Sequence, residues 1–402
     1  MSKAYIYDHV RTPRGRGNDK GALRGVSSVR LASTALAAIA DRNGLDTACV
    51  DEVVMGCAQP VGEQGGNIAR AALLFAGYDQ SVHGQQVHCF CASGLEAVNI
   101  AAAKVNAGAV DAAIGGGVES MSRTPLGADT GAWVGDPSLV YHNHYVSQGV
   151  GADLIASLDC NRREDLDRYA LSSQRRTAAA WRERRFAASL VPVADVAGEI
   201  LLDRDELPRA DSSLEMLAGL RPAFAGAAHA GLYDAVAIQR YPQLERIEHV
   251  HTAGTSSGIA DGAAAVLIGG ESFGRQASLR PRALIRGFAN IGSDPTIMLT
   301  APQAVTQKLL ARAGMSVRDI DLFEINEAFA SVVLRYMRAL ELDPDTVNVN
   351  GGAIAMGHPL GATGAMILGT VLDELERRDA STAVVTVCAG NGLGTATLVE
   401  RL

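Results

Sequence analysis

Val87-His88-Cys89-Phe90-Cys91-Ala92-Ser93-Gly94 runs straight into the alanine-rich stretch 95–107 and then, past Gly108, into the apolar run 111–114 and Gly115-Gly116-Gly117. An extended segment, a turn, helical apolar spacing and a second short apolar run make one strand–helix–strand unit. The turn places Cys91 at the start of the helix. Free amide N–H groups and the helix dipole there favour thiolate over thiol. This is the layout of a nucleophile elbow with sulfur in place of a serine oxygen. A free cysteine also fits as a small buried hydrophobe. Placement alone leaves both readings open.

Working outward, residues 4–7 and 52–55 read as strands, with a helix over 31–42 between them. The alternation returns late in the chain, as 283–285, 301–313, 321–325, 328–340 and 384–387. Such alternation implies an α/β protein of βαβ units around a mostly parallel sheet. The late part echoes the early one. A turn at His358 opens a helix over 363–377, which leads to the strand 384–387 and Gly390, much as the Cys91 turn leads to 112–114 and its glycines. Between the halves, from Ser122 to His251, the alternation fades. A long helix over 163–185 stands out there, with eight arginines once Arg162 is counted. A solvated, salt-bridged face is the ordinary reading of such a run, and contact with phosphates is the functional one.

The bulk numbers exclude several classes. A net charge of −8 over 402 residues offers no basic field for nucleic acid. The 43 glycines fall in short runs without a repeat, so tight turns and close backbone approach explain them. Six scattered cysteines make no disulfide framework. No apolar run reaches the length of a membrane span, and residues 1–14 hold no signal-like stretch. A reducing, cytoplasmic setting is expected.

Four constellations carry chemistry. Around Cys91, the set His88, Cys89 and Cys91 lacks the spacing of a zinc site, so no metal is expected. In Gly357-His358-Pro359-Leu360-Gly361, which follows Asn348-Val349-Asn350-Gly351-Gly352, the proline keeps His358 out of helical geometry. A histidine on a rigid turn can take a thiol proton, or simply be hydrogen-bonded in place. In Cys388-Ala389-Gly390-Asn391-Gly392-Leu393-Gly394, Thr395 stands where a third dinucleotide-loop glycine belongs, so that reading fails. A cysteine beside glycine amides suits a general acid/base near an oxyanion site. In Asn326-Glu327-Ala328-Phe329-Ala330, Asn326 fits as a helix N-cap or as the holder of a water aimed at a carbonyl oxygen.

The order and spacing of these motifs resemble the thiolase family over essentially the whole chain. Cys91-Ala92-Ser93-Gly94, Asn326-Glu327-Ala328-Phe329, Gly357-His358-Pro359 and Cys388-Ala389-Gly390 carry the match. Gly117-Val118-Glu119-Ser120-Met121-Ser122, Ala253-Gly254-Thr255-Ser256-Ser257-Gly258 and Asp261-Gly262-Ala263-Ala264 support it. The resemblance implies duplicated halves in a five-layered α/β/α/β/α sandwich with an inserted loop domain. The N-terminal half would be 1–121 plus 252–275, the loop domain covering coenzyme A 122–251, and the C-terminal half 276–402. It implies Cys91, His358 and Cys388 as catalytic groups, Asn326 and Gly390 in the oxyanion and water sites, and Ser257 and Phe329 on the substrate. Coenzyme A enters as substrate, with no permanently bound cofactor. The reaction implied is thiolytic cleavage of a 3-oxoacyl-CoA through an acyl-Cys91 thioester.

Four departures from the family pattern stand out: His88 for asparagine, Thr255 for asparagine, Asn391 within a glycine triplet, and Ser147-Gln148-Gly149 for a His-Met-Gly segment of short-chain biosynthetic members. The last, with Gly151-Ala152-Asp153 and the loop 203–224, resembles degradative 3-ketoacyl-CoA thiolases of bacterial fatty-acid β-oxidation. The alternatives are a biosynthetic acetoacetyl-CoA thiolase and a non-catalytic acyl-CoA-binding subunit. A homodimer or homotetramer is expected from the family, and a hydratase/dehydrogenase subunit is a plausible partner.

Overall fold

A computed structural model describes residues 2–402. The first half builds β1 (Tyr5–Arg11), α1 (Ser28–Asn43), β2 (Glu52–Gly56), α2 (Ile68–Phe75), β3 (His83–Val87), α3 (Ser93–Ala107) and β4 (Ala112–Ser120). A long excursion follows. It includes α4 (Gln148–Leu158), α5 (Arg163–Arg182) and several shorter helices before β5 (Ala260–Gly269). The second half holds β6 (Ala283–Gly292), α6 (Ala301–Ala313), β7 (Leu322–Ile325), α7 (Ala330–Leu340), α8 (Leu360–Arg378), β8 (Thr382–Ala389) and β9 (Leu393–Arg401).

The strands run in the order β7-β8-β9-β6-β1-β5-β4-β2-β3, with Gly15–Arg16 as a short arm on β5. The two halves of this sheet are joined by the short ladder Tyr5↔Leu284 and Ile6↔Ala283 between β1 and β6. Helices α1 and α2 cover one outer face, and α6 covers the other with α7 packed on it. Helices α3 and α8 lie between the two halves of the sheet and pack on each other. The result is five layers, α/β/α/β/α. Three apolar cores fill the gaps, the middle one built from α3, α8 and the inner faces of both half-sheets.

Central position explains the composition of α8. Every residue from Leu360 to Leu372 is buried, and the turns of Gly, Ala and Leu let other backbones approach from all sides. Helix α3 is alanine-rich for the same reason and stops at Gly108, whose left-handed conformation (φ 68°) returns its N–H to Lys104 and Val105.

Three expectations are corrected here. The sheet is mixed, not mostly parallel: only β2/β3, β2/β4 and β7/β8 pair parallel, while β5 and β1 run antiparallel to their neighbours. Strand β4 does not stop at Ile114 but carries Gly115, Gly116 and Gly117 to Ser120, because helices and strands crowd it too closely for side chains. The arginine helix ends at Arg182, since Glu183 caps it and Arg184 turns left-handed (φ 58°). Among the described residues no helix is long and apolar enough to cross a membrane.

Candidate active site

Cys91 sits between β3 and α3, immediately before the cap residue Ala92. Phe90 before it adopts a left-handed conformation (φ 50°), costly for an aromatic residue. Hydrogen bonds from Ala92 N–H to Cys89 O (3.1 Å), Ser93 N–H to Phe90 O (3.0 Å) and Cys89 N–H to Ser93 Oγ (2.9 Å) hold the elbow. Cys91 itself is 6% exposed. Burial pushes its thiol up to about 11, against the pull of its own backbone amide, the Gln148 side chain and the Gly390 amide; the Glu119 charge adds to the rise. The helix end therefore does not yield the resting thiolate that the sequence suggested. Cys91 is a thiol at neutral pH and requires a base.

His358 lies in the turn between Gly357 and the cap Pro359 that starts α8. Its main chain is clamped from the N-terminal side, with His358 N–H donating to Gly258 O at 2.7 Å. Nδ1 is 2.7 Å from Thr363 Oγ1, and that hydroxyl donates to Pro359 O at 2.9 Å. With the hydroxyl proton committed, Thr363 Oγ1 accepts from Nδ1–H, so the lone pair is on Nε2. Nε2 faces Asn326 Nδ2 at 3.3 Å. Burial, with the nearby Arg14 charge, lowers the His358 pKa to about 3, so the ring is a neutral acceptor.

Asn326 is not a helix cap, which corrects that reading: α7 starts at Ala330 and its cap is Phe329. Fully buried Asn326 instead gives its Nδ2 to His358, and its Oδ1 has no partner. A buried acceptor without a donor is suited to a water or a ligand group. The loop is held through Glu327, which accepts from Tyr169 and Ser173 of α5, each at 2.7 Å, and from Ile354 N–H at 3.1 Å. The inner face of the arginine helix thus anchors the Asn326 loop. Two of its arginines are engaged with protein, Arg163 with Asp167 and Arg176 with Val347 O and Asp345, and beyond its end Arg185 bonds Glu183 and Asn350.

Cys388 lies fully buried at the end of β8, and burial together with nearby Cys91 raises its pKa strongly. Gly390 follows at the start of a tight turn and presents its amide to the Cys91 sulfur. Asn391 takes the left-handed place (φ 62°) that a glycine would take, a conformation asparagine tolerates. Cys91, Cys388 and Gly390 are thus neighbours, and His358 and Asn326 are hydrogen-bonded to each other. The two groups meet through the first turns of α3 and α8, where an added Cβ on Gly94 would stand 2.5 Å from Gly361 O.

Phe329 is buried against Phe224 and His251, with ring centroids 5.9 and 5.2 Å away. Ser257 donates its N–H to Ala328 O at 2.9 Å, beside the Gly258 that holds His358, and remains partly exposed. Thr255 serves a local cap, with Oγ1 accepting Thr252 N–H at 2.9 Å and lying 3.2 Å from His251 Nδ1. His88 is exposed and stacks edge-on against Phe90 at 4.7 Å. Three contributors were not singled out for these roles by the sequence. Thr363 hydrogen-bonds His358, Gln148 at the start of α4 draws the Cys91 pKa down, and Glu119 ties the first turn of α8 to the segment after β2. Only Thr363 left a local signal, a hydroxyl in the first helical turn after the histidine.

Comparison with known proteins is consistent over the full length. The family model "Thiolase, N-terminal domain" matches residues 4–237 and "Thiolase, C-terminal domain" matches 279–401. The chain is 38% identical to a steroid 3-ketoacyl-CoA thiolase of Mycobacterium tuberculosis, over 100% of this chain and 95% of that protein. It is 39% identical to a beta-ketoadipyl-CoA thiolase of Escherichia coli, over 100% of both. The crystal structure of the Bacillus anthracis acetyl-CoA acetyltransferase superimposes with a TM-score of 0.87 at 33% identity, covering 100% of this chain and 99% of that one.

Proposed function

The chain belongs to the thiolase family of acyltransferases, and from that premise we propose that it cleaves 3-oxoacyl-CoA with coenzyme A in fatty-acid β-oxidation. The observation that carries the reading is the setting of Cys91: a buried thiol at the turn into α3, drawn toward thiolate by the amides of Cys91 and Gly390, with Cys388 nearby. His358 Nε2 takes the Cys91 proton, and the sulfur attacks the 3-oxo carbonyl. The C2–C3 bond breaks, and Cys388 protonates the acetyl-CoA enolate that leaves. Cys388 then removes the proton of incoming coenzyme A. The CoA sulfur attacks the acyl-Cys91 thioester, the Cys91 sulfur leaves and regains its proton from His358, and an acyl-CoA shorter by two carbons departs. One oxyanion is met by the Cys91 and Gly390 amides, the other by His358 and a water on Asn326 Oδ1.

Ser257 is assigned to the pantetheine arm and Phe329 to the substrate pocket, with residues 122–251 as the cover over coenzyme A. A cytoplasmic homodimer or homotetramer is the assembly proposed, with a hydratase/dehydrogenase subunit as a candidate partner. A biosynthetic acetoacetyl-CoA thiolase is the second reading, favoured by 39% identity to an acetyl-CoA acetyltransferase of Escherichia coli. Mass spectrometry after incubation with acetoacetyl-CoA, 3-oxooctanoyl-CoA and 3-oxohexadecanoyl-CoA tests both. An acyl adduct on Cys91 with kcat/KM rising toward the longer substrates is expected. Preference for acetoacetyl-CoA selects the second reading, and no adduct at all removes both.

A further inference from the structure

Glu119 stands near the end of β4 with none of its surface exposed. Its carboxylate meets only donors. Oε2 accepts N–H from Ala58 and from Gly361, both at 2.8 Å. Oε1 accepts from Gln59 N–H at 3.2 Å and Gln64 Nε2 at 2.7 Å, with Cys57 Sγ at 3.7 Å. Burial raises the Glu119 pKa, and the hydrogen bonds from Ala58, Gln64, Gly361 and Gln59 oppose that rise. A protonated carboxyl would turn an O–H toward one of these N–H groups, so the donor geometry suits the anion.

The donors come from both halves of the fold. Ala58 and Gln59 follow β2, and Gln64 follows them, while Gly361 belongs to α8, three residues after His358 and 242 residues from Glu119. The carbonyl of Gly361 is wedged on the same side. A Cβ added to Gly117 would fall 1.8 Å from it, and one added to Gly94 would fall 2.5 Å from it. Gly94 is itself three residues after Cys91. Both backbone polar groups of Gly361 are therefore fixed by the half that carries the nucleophile.

We propose that Glu119 is a positioning residue whose buried carboxylate pins the His358 turn to the Cys91 half and thereby sets the approach of base to nucleophile. The inference deepens the function proposed above and rests on Cys91 and His358 being nucleophile and base. Charge, not shape, is what does this. Glutamine would place an NH2 against at least one pair of N–H donors whichever way it turned. Aspartate would keep the anion but draw it back by one methylene, away from part of the donor set.

The test is a double-mutant cycle on the rate of Cys91 alkylation by iodoacetamide, read in the full-length protein as wild type, His358→Ala, Glu119→Gln and the double variant. In the wild-type background, loss of His358 is expected to slow alkylation at least about tenfold, the lower part of what a positioned base supplies. In the Glu119→Gln background the further loss is expected to fall below about twofold, because the base is already out of reach. Thiolysis kcat should fall about 100-fold with KM little changed, as for an ångström-scale misplacement. Glu119→Asp should recover part of both. If Glu119→Gln does not fold, the same cycle run on Glu119→Asp decides, since it too must reduce the His358 effect. A full His358 effect in a folded Glu119 variant overturns the proposal. The alkylation cycle uses no acyl-CoA, so absence of an acyl adduct on wild-type Cys91 would sink the proposed reaction while leaving this outcome separately readable.

Discussion

Thr363→Val is the sharpest probe of how the base is set. In the wild type the Thr363 hydroxyl donates to Pro359 O at 2.9 Å and accepts Nδ1–H of His358 at 2.7 Å, which leaves Nε2 with the lone pair. Valine has nearly the same shape and neither hydrogen-bonding capacity. Thr363 is fully buried and His358 is 4% exposed, so water cannot replace the lost acceptor. An unpaired buried donor costs roughly 1–3 kcal/mol. Imidazole avoids that cost by moving its proton to Nε2, which removes the lone pair from the side that faces Asn326. At about 1.4 kcal/mol per tenfold, the competent tautomer falls by roughly 5- to 150-fold. The expected result is kcat for thiolysis reduced by that factor, with KM little changed and Thr363→Ser close to wild type. Steady-state kinetics on acetoacetyl-CoA and a longer 3-oxoacyl-CoA measure it, with thermal unfolding as the check on folding. A valine variant within about twofold of wild type, or a serine variant as damaged as valine, would refute the tautomer argument.

Other outcomes follow from the same geometry. Asn326→Ala removes the donor to His358 and the unpartnered Oδ1 together, and kcat is expected to drop on the order of 10²–10³, as for loss of an oxyanion donor; a loss under about tenfold speaks against a water held there. His249 bridges Asp153 at 2.8 Å and Asp234 at 3.0 Å, and the Asp153 bond, opposed by burial and helped by Asp234, raises its pKa from 6.5 to about 9. Because the folded pKa lies above the unfolded one, this contribution is complete below pH 6.5 and fades as pH rises through 9; Tm should decline over that window, and less steeply in His249→Asn. At Asn391, φ is 62°, so Asn391→Gly should keep kcat within about twofold, whereas Asn391→Val should lose roughly 1–2 kcal/mol in denaturant unfolding.

How much of this was legible depends on whether the signal was local. Helix α6 was read to the residue because Gly314 ends it in a left-handed cap (φ 66°), a signal carried by a single position. Strand β4 was cut short because three glycines look like a turn, while their actual reason is tertiary: a Cβ on Gly115 would meet Val98 Cα at 2.6 Å, and one on Gly117 would meet Gly361 O. Strand direction was illegible, since β5 joins β4 only after the long excursion and pairs with it antiparallel, Ala112 with Gly269. The positions of Cys91, His358 and Cys388 at element ends were legible, and the structure places each there. Glu119 was not legible for its role, because that role depends on a partner 242 residues away.

The failed expectation at Cys91 bears most on the proposed mechanism. A cysteine at a helix start should be a thiolate, yet burial holds Cys91 at about 11, above the ordinary value of 9.0. A nucleophile that must later leave from its own thioester gains nothing from being a permanent anion, and a buried thiolate is exposed to every electrophile that enters. In the proposed reaction, holding it protonated moves control of the attack to His358. That transfer works only if the histidine is neutral, has its lone pair on Nε2 and is fixed in distance from the sulfur. Burial and Arg14 supply the first condition, Thr363 the second, and the Glu119–Gly361 joint between β4 and α8 the third. The amides of Cys91 and Gly390 offset only part of the desolvation of the thiolate. They are fully used only when charge passes from sulfur to the carbonyl oxygen of the substrate, and that is where two fixed N–H groups contribute most to rate.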